Sequence, residues 1–181
     1  MSDCNNGKTY SFDVCSSCGT VCCCDANPPL SLTREKVIAT YLKEQSIPQQ
    51  DVFVHAEYAH PAADAKSYCV FFNTQTRRCQ VHPVKPETCK AGPITFGINL
   101  KTGKAEWFLK KRAICALAGK LKDNPAALQM HFEAAEPELL RLIGELDGKA
   151  LRAILKIDEP ETFKIGETAL PKEIIEKISR A

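Results

Sequence analysis

The sequence feature that most constrains the fold is a run of closely spaced cysteines, Cys15-Ser16-Ser17-Cys18-Gly19-Thr20-Val21-Cys22-Cys23-Cys24. Five thiols within ten residues fold back onto a common centre more readily than they pair with one another as disulfides. Thiolates are soft ligands that bind zinc and hold iron–sulfur clusters. The run therefore predicts a metal site around which the neighbouring chain is arranged.

Five more cysteines lie elsewhere, and their number allows more than one metal centre. The predicted ligands form two sets of four: Cys15, Cys18, Cys22 and Cys23, and then Cys69, Cys79, Cys89 and Cys115. Adjacent cysteines direct their side chains differently, so Cys22 and Cys23 suit two neighbouring centres, a bridging thiolate, or two corners of one cluster. Cys4 lies in a polar leader and is predicted to be an exposed thiol. Whether Cys24 is a ligand is left open.

The spacing favours iron–sulfur over zinc. Zinc ribbons use paired C-x2-C knuckles, and only Cys15 and Cys18 have that form. A run of closely spaced cysteines with a further cysteine far along the chain is more typical of iron–sulfur binding loops. The match to a ferredoxin is not complete, because three residues separate Cys18 from Cys22 where a ferredoxin has two. We therefore expect a [4Fe–4S] cluster, with two centres as an option and zinc as the alternative.

Composition indicates a cytoplasmic globular protein. Apolar residues make up 44% and charged residues 25%, and the formal net charge is only +2. The first residues lack the apolar core of a secretion signal, and no run reaches the roughly 18–20 apolar residues that cross a bilayer. We expect no membrane association, and nucleic-acid binding is not favoured by so small a charge. In a reducing compartment ten cysteines are expected to be metal ligands or redox groups rather than disulfides. A structure held by disulfides therefore ranks third, after an iron–sulfur protein and a zinc protein.

The pattern of apolar residues predicts an α+β fold with two parts. Residues 1–122 are expected to form a small cysteine-rich metal-binding domain of short β-hairpins and helices, and residues 123–181 a helical C-terminal extension packed on it. A helix is predicted over 32–42, with Thr33 as its N-cap. Hairpins are predicted from strands 67–72 and 79–82 and from strands 94–100 and 105–109, and a single helical turn over 87–90.

The C-terminal third contains no cysteine, so we assign it to packing, capping or partner contact. Residues 126–148 have helical periodicity, with Pro137 expected to open a second helix at its first turn. A short terminal helix is predicted from Pro171 to Arg180.

The order of these motifs resembles that of the YkgJ-type cysteine-cluster proteins, the zinc- or iron-chelating CxxCxxCC family. That family opens with C-x2-C-x2-C-C, a helix beginning with Leu-Thr, and a cysteine before an apolar pair. It continues with C-x-[IV]-[YH]-x-x-R-P-x-x-C-R and often a later C-P-G. The matching segments here are 15–23, Leu32-Thr33, Cys69-Val70-Phe71-Phe72, 79–90 and, more poorly, 115–119.

Two departures from the family pattern bear on the site. The cluster carries one inserted residue and the extra Cys24, so the adjacent pair is either Cys22/Cys23 or Cys23/Cys24. Lysine stands at 85 and 90 where the family usually has arginine, which weakens bidentate anion binding. The resemblance implies metal or iron–sulfur binding without one settled reaction. Some relatives are linked to protein-modifying enzymes such as flagellin lysine methylases, and this link is an analogy only.

The remaining polar residues point to structural roles. His82 is interpreted as a packing or hydrogen-bonding residue and His131 as a structural one. His55 and His60 are interpreted as surface or core histidines, with a non-cysteine metal ligand as the alternative. A basic hairpin surrounds Trp107 and Phe108, and we expect a solvated hairpin with a buried tryptophan rather than a base-stacking surface. The sequence has no P-loop, dinucleotide-binding or serine-hydrolase motif.

The favoured hypothesis is an iron–sulfur protein serving electron transfer or an unidentified redox or modifying reaction. The alternative is a zinc-stabilised, non-catalytic protein- or RNA-binding module. The sequence does not identify catalytic residues, and whether the protein is an enzyme is left open. Its partner is expected to be a redox protein or another protein, of unknown identity.

Overall fold

The computed structural model describes residues 22–157 and 161–181, and these form an α+β fold as predicted. The helices are α1 Leu32–Glu44, α2 Glu87–Ala91, α3 Ala116–Lys122, α4 Pro125–Glu145, α5 Gly148–Leu155 and α6 Lys172–Arg180. The strands are β1 Phe53–His55, β2 Ala59–Pro61, β3 Phe72–Asn73, β4 Arg78–Cys79, β5 Ile94–Asn99, β6 Lys104–Lys110 and β7 Thr162–Ala169. A 3₁₀ turn covers His82–Val84. The strands form two two-stranded ribbons, β1–β2 and β3–β4, and a three-stranded antiparallel sheet ordered β5-β6-β7.

Helix α1 begins at the predicted residue, Leu32, but its N-cap is Ser31 and not Thr33. The Ser31 hydroxyl accepts a hydrogen bond from the Arg34 N–H at 3.0 Å, which satisfies one of the free donors of the first turn. The predicted cap was wrong because Thr33 is already inside the helix, where its N–H donates to the Glu145 carboxylate at 3.0 Å.

The N-terminal half has its own small core beneath the cysteine-bearing loops. Its buried residues are Leu30, Ile38, Leu42, Val52, Phe71 and Val81. Phe53 packs edge-on against Phe71, with ring centroids 6.0 Å apart. Cys69 and Cys79 lie half-buried against this core, so the hairpin that carries them is anchored to it.

The second core covers one face of the three-stranded sheet. The predicted hairpin is confirmed as β5 and β6, and their turn contains Gly103 at a positive φ of 69°. Trp107 of β6 is fully buried, packs edge-on against Phe132 of α4 and donates its indole N–H to Thr168 at 2.9 Å. Strand β7 completes the sheet within the part predicted to be helical, while the predicted terminal helix is confirmed as α6.

Helix α4 runs unbroken through Pro137, so the prediction that Pro137 opens a second helix was wrong. A proline inside a helix lacks the N–H that would bond to the carbonyl one turn earlier. Burial of an apolar stripe of four side chains on both sides of Pro137 favours the continuous helix. These side chains are Ala135, Leu139, Leu142 and Ile143.

The two cores meet at a buried cluster of charged side chains. Arg34 of α1 forms ion pairs with Glu138 of α4 and, at 3.8 Å, with Glu87 of α2. Lys90 of α2 contacts the other oxygen of Glu138 at 2.5 Å, and Ser31 donates to Glu87 at 2.5 Å. We call these five residues the ion cluster. It joins α1, α2 and α4, while the predicted division between residues 122 and 123 stays a prediction.

A search of the described ranges for a membrane-crossing helix gives a negative result. None of their helices combines the length and the apolar character that a bilayer span requires.

Candidate metal centre

Cys23 and Cys69 are brought together by an antiparallel contact between two loops. The Cys69 N–H donates to the Cys23 carbonyl at 2.7 Å, and the Asp25 N–H donates to the Ser67 carbonyl at 2.8 Å. Cys24 pairs with Tyr68 between these two hydrogen bonds. The compressed cysteine run therefore lies directly beside the segment that contains the first distant cysteine.

The β3–β4 ribbon places Cys79 at the same end as Cys69. Cys79 is paired with Phe72, and the Phe72 N–H donates to the Cys69 carbonyl at 2.8 Å. The predicted hairpin is therefore present, although its regular strands are only two residues long. Cys69, three residues before Phe72, lies just outside the ribbon, in a turn that closes back on it.

Both of these sulfurs accept a hydrogen bond from the backbone two residues further along the chain. The N–H of Phe71 donates to Cys69 and that of Val81 donates to Cys79. Burial raises the pKa of Cys69 to about 11 and raises that of Cys79, and the N–H donors oppose this effect. The donors stabilise negative charge on sulfur, which is the form in which cysteine binds a metal.

Cys89 on α2 completes the group. Cys89 retains contact with solvent, but protein atoms around its sulfur raise its pKa. Negative charge on Cys23, Cys69 or Cys79 raises it further, which places these three thiols within electrostatic range of Cys89. Lys85 acts in the opposite direction and lowers the pKa of Cys89.

The described residues as they stand do not form a closed metal-binding polyhedron. Across residues 22–157 and 161–181, no three His, Cys, Asp or Glu side chains converge closely enough to hold a metal ion. The chemistry of the donor set nevertheless fits zinc or an iron–sulfur cluster, because the gathered groups are thiols, two of which have N–H donors on sulfur.

Cys24 is directed to a different environment from that of Cys23. Its sulfur lies 3.5 Å from an Asp25 carboxylate oxygen, and Asp64 is also close. Desolvation and then these carboxylates raise its pKa. A thiol beside two carboxylates is a poor anionic ligand, so the geometry groups Cys23, rather than Cys24, with the distant cysteines.

The other predicted ligands are distributed as follows. Cys22 is exposed. Cys115 is half-buried at the start of α3, packs against the C-terminal core, and is not among the thiols that act on Cys89. Cys15, Cys18 and the leader residue Cys4 lie outside the described residues. The ligand set of eight cysteines therefore stays a prediction.

Three histidines have structural partners, as predicted. His55 contacts Glu35 at 3.1 Å, His60 contacts the Pro61 carbonyl at 2.8 Å, and His131 contacts the carbonyls of Ala91 and Gly92. His82 is half-buried, and burial and then Lys85 lower its pKa. Sequence reasoning noted Lys85 and Lys90 as departures from the family pattern but did not predict the ion cluster.

The basic hairpin does not present an aromatic surface. Trp107 is buried and cannot stack on a base. Three cations at or beside the hairpin are also paired: Lys104 with Glu167, Lys111 with Glu161, and Arg112 with Asp123. These pairs give no support to RNA binding through this hairpin.

Comparison with known proteins agrees with the order of the cysteine motifs in the sequence. An uncharacterized protein of Methanocaldococcus jannaschii is 27% identical over 186 aligned positions, which cover 92% of this chain and 90% of that protein. No solved structure matches the chain. The model of the CxxCxxCC family, described as "Putative zinc- or iron-chelating domain", matches residues 14–116. This match covers more than half of the chain and confirms the resemblance drawn from the cysteine motifs, so the protein belongs to the CxxCxxCC family.

Proposed function

We propose that the protein is a cytoplasmic electron carrier that holds an iron–sulfur cluster on its cysteine thiolates. Family membership establishes a domain described as zinc- or iron-chelating. The observation that carries the finer proposal is the number and kind of donors. Three thiols, those of Cys23, Cys69 and Cys79, lie within electrostatic range of Cys89, and further cysteines are available nearby in sequence.

Thiolates alone, without histidine or carboxylate, are typical ligands of an iron–sulfur cluster. More thiols are present than the four that a single tetrahedral ion needs. In this proposal Cys23, Cys69, Cys79 and Cys89 hold one [4Fe–4S] cluster, and Cys15, Cys18 and Cys22 are available for a second centre. The bound cluster supplies one-electron redox chemistry.

The chain's own residues contribute three things to such a centre. The N–H groups of Phe71 and Val81 stabilise charge on sulfur, and hydrogen bonds to sulfur are among the factors that set cluster potential. The N-terminal core fixes the β3–β4 ribbon. The solvent access of Cys89 leaves one side of the site open to a redox partner.

A zinc-stabilised binding module is the second candidate. It is favoured by Cys69 and Cys79, which lie at one end of a short ribbon and each accept an N–H two residues downstream. A closed zinc site of four thiolates needs no open position and contributes to folding without chemistry.

The experiment is metal and sulfide analysis of the full chain purified without oxygen. The electron-carrier proposal expects brown protein with broad visible absorption, iron and acid-labile sulfide, and reversible bleaching with dithionite. Colourless protein with stoichiometric zinc overturns it in favour of the zinc module. Metal-free protein without titratable thiols overturns both and indicates disulfides.

A further inference from the structure

Helix α2, which carries Cys89, is too short to be stable by itself. It has five residues, and its N-cap, Pro86, offers no side-chain hydrogen bond. Isolated helices shorter than about 12–15 residues are only marginally stable in water, so a helix of this length depends on tertiary contacts. The direction in which Cys89 points is therefore set by the elements that hold α2.

One face of α2 is fixed by the ion cluster. The Glu87 carboxylate accepts the Ser31 hydroxyl at 2.5 Å, and the Lys90 ammonium lies 2.5 Å from a Glu138 oxygen. Successive residues of an α-helix are rotated by about 100°, so Cys89 lies roughly opposite Glu87 on the helix. Glu87 is fully buried, whereas Cys89 is exposed. The anchored side chains thus determine the rotation of α2 about its axis, and with it the side on which Cys89 lies.

The C-terminal end of α2 is held by His131 of α4. The His131 Nε2 atom lies 3.0 Å from the Ala91 carbonyl oxygen and 3.1 Å from the Gly92 carbonyl oxygen. A carbonyl oxygen only accepts hydrogen bonds, so Nε2 carries the hydrogen and donates it. Carbonyls at the end of a helix lack partners within the helix. His131 therefore satisfies acceptors at this end of α2 and holds that end against α4.

The two contacts that α4 makes with α2 act at different points. His131 and Glu138 are seven residues apart, close to two helical turns, so they lie on the same face of α4. Glu138 holds the Lys90 side chain, and His131 holds the backbone that follows it. Contact at two points opposes both rotation and tilting of α2, so Cys89 is held in one position.

We propose that His131 is a positioning residue for the metal ligand Cys89. Groups that orient metal ligands contribute to metal affinity although they do not touch the metal. His131 acts in this way through the backbone at the end of α2. The segment matched by the family model ends at residue 116, so this role belongs to a residue outside it. The inference rests on the proposed function, because it requires that Cys89 bind a metal.

The test separates the hydrogen bonds of His131 from the general stability of the fold. His131→Leu removes the donor, whereas His131→Gln keeps an N–H donor at the end of the side chain. Arg152→Met is the matched control. Arg152 donates to the carbonyls of Ile178 and Ser179 at 2.7 and 2.9 Å, near the end of α6, a helix without cysteine.

Two quantities are measured on the full chain purified without oxygen. The first is the rate at which a chelator removes the metal that the chain holds as purified. The second is the gain in unfolding temperature of the metal-bound protein over the metal-free protein, which reports metal affinity. A purely structural role would lower both unfolding temperatures and leave the gain unchanged.

We expect His131→Leu to lose its metal about 10-fold faster than the wild type, because groups that orient ligands usually change metal affinity by about 10- to 100-fold. Its gain in unfolding temperature should be smaller than that of the wild type. His131→Gln should lose metal within about threefold of the wild-type rate, because the donor is kept. Arg152→Met should lower both unfolding temperatures and lose metal at the wild-type rate.

Three results would overturn the inference alone. These are a wild-type rate of metal loss in His131→Leu, an unchanged gain in its unfolding temperature, or metal loss as fast in His131→Gln or Arg152→Met as in His131→Leu. A wild-type chain that holds neither iron nor zinc as purified would overturn the proposed function as well. The two failures are therefore distinguishable.

Discussion

At the scale of single residues, one backbone pairing separates the roles of two adjacent cysteines. Cys24 forms a bridge with Tyr68, and Cys23 accepts the N–H of Cys69. Successive side chains on an extended segment point to opposite sides. Cys23 therefore lies among the distant thiols, whereas Cys24 lies beside Asp25 and Asp64.

A pair of serine variants tests this separation. Cys89→Ser should lose most of the bound metal and lower the unfolding temperature, because metal binding and folding are coupled. Cys24→Ser should retain wild-type metal content. Metal per chain, measured by elemental analysis of anaerobically purified protein, decides the question. Full metal content in Cys89→Ser, or equal loss in Cys24→Ser, would contradict the grouping.

The sequence could not make this distinction, although it predicted a thiol site and the approach of the distant cysteines to the cluster. Cys22, Cys23 and Cys24 are chemically identical neighbours, and the family pattern fits with the pair in either register. The choice between them depends on pairing with Tyr68 and Cys69, more than 40 residues away. Such long-range pairing leaves no local signal.

At the scale of elements, Ser31 stabilises two helices. Its hydroxyl caps α1 and donates to Glu87 at the start of α2 at 2.5 Å. Both Ser31 and Glu87 are fully buried. Loss of the hydroxyl would remove a cap and leave one Glu87 oxygen without this donor.

We therefore expect Ser31→Ala to reduce the free energy of unfolding by about 2 kcal/mol, from the lost cap and the buried acceptor together. Ser179→Ala is the control: the Ser179 hydroxyl donates only to the Ile175 carbonyl on an exposed surface, so we expect a change below about 0.5 kcal/mol. Urea unfolding of both variants measures the difference. Equal effects would show that Ser31 is not a special cap.

Strand β7 shows why part of the element order could not be predicted. Its side chains are half-buried or exposed, so the strand lacks the alternating apolar residues that signal a strand. Its place depends on pairing with β6, for example Gly166 beside Trp107. The β5–β6 hairpin, with a local turn and buried alternate residues, was predictable for the opposite reason.

At the scale of the whole molecule, the ion cluster is the polar joint between the two cores. Arg34 and Glu138 are 104 residues apart in sequence, and both are almost completely buried. Removal of one partner of a buried pair leaves a charge without compensation. The sequence gives no sign of this joint, because each residue alone resembles a surface charge.

Glu138→Gln should therefore reduce the free energy of unfolding by about 3 kcal/mol at neutral pH. This value is at the low end of the usual loss for a broken buried ion pair, because Glu87 remains near Arg34. Glu176→Gln is the matched control. Glu176 pairs with Arg180 on the exposed surface, so we expect a loss below about 0.5 kcal/mol. Comparable losses in the two variants would contradict a special role for the joint.

The same variant has a pH signature. Burial alone would raise the pKa of Glu138, but Lys90, Arg34 and Arg141 together hold it below its usual value. The ionised Glu138 carboxylate therefore contributes fully to the free energy of unfolding above about pH 4.3, the pKa of glutamate in the unfolded chain. This contribution is lost as the pH falls through the lower pKa that Glu138 has in the folded chain. The stability difference between wild type and Glu138→Gln should shrink below about pH 4 in urea unfolding. A constant difference down to pH 2 would contradict the assignment.

The position of Glu138 also bears on how this family can be recombined. The family match ends at residue 116, yet Arg34 and Lys90 inside the match share a carboxylate that lies outside it. A chain of residues 14–116 would retain nine of the ten cysteines but keep Arg34 without its main counter-charge, and we expect low helicity by circular dichroism. Well-folded protein from that fragment would contradict this expectation. The segment that matches the family model is thus shorter than the segment that we expect to fold alone, and we expect a fusion protein that borrows the metal site to need helix α4 as well.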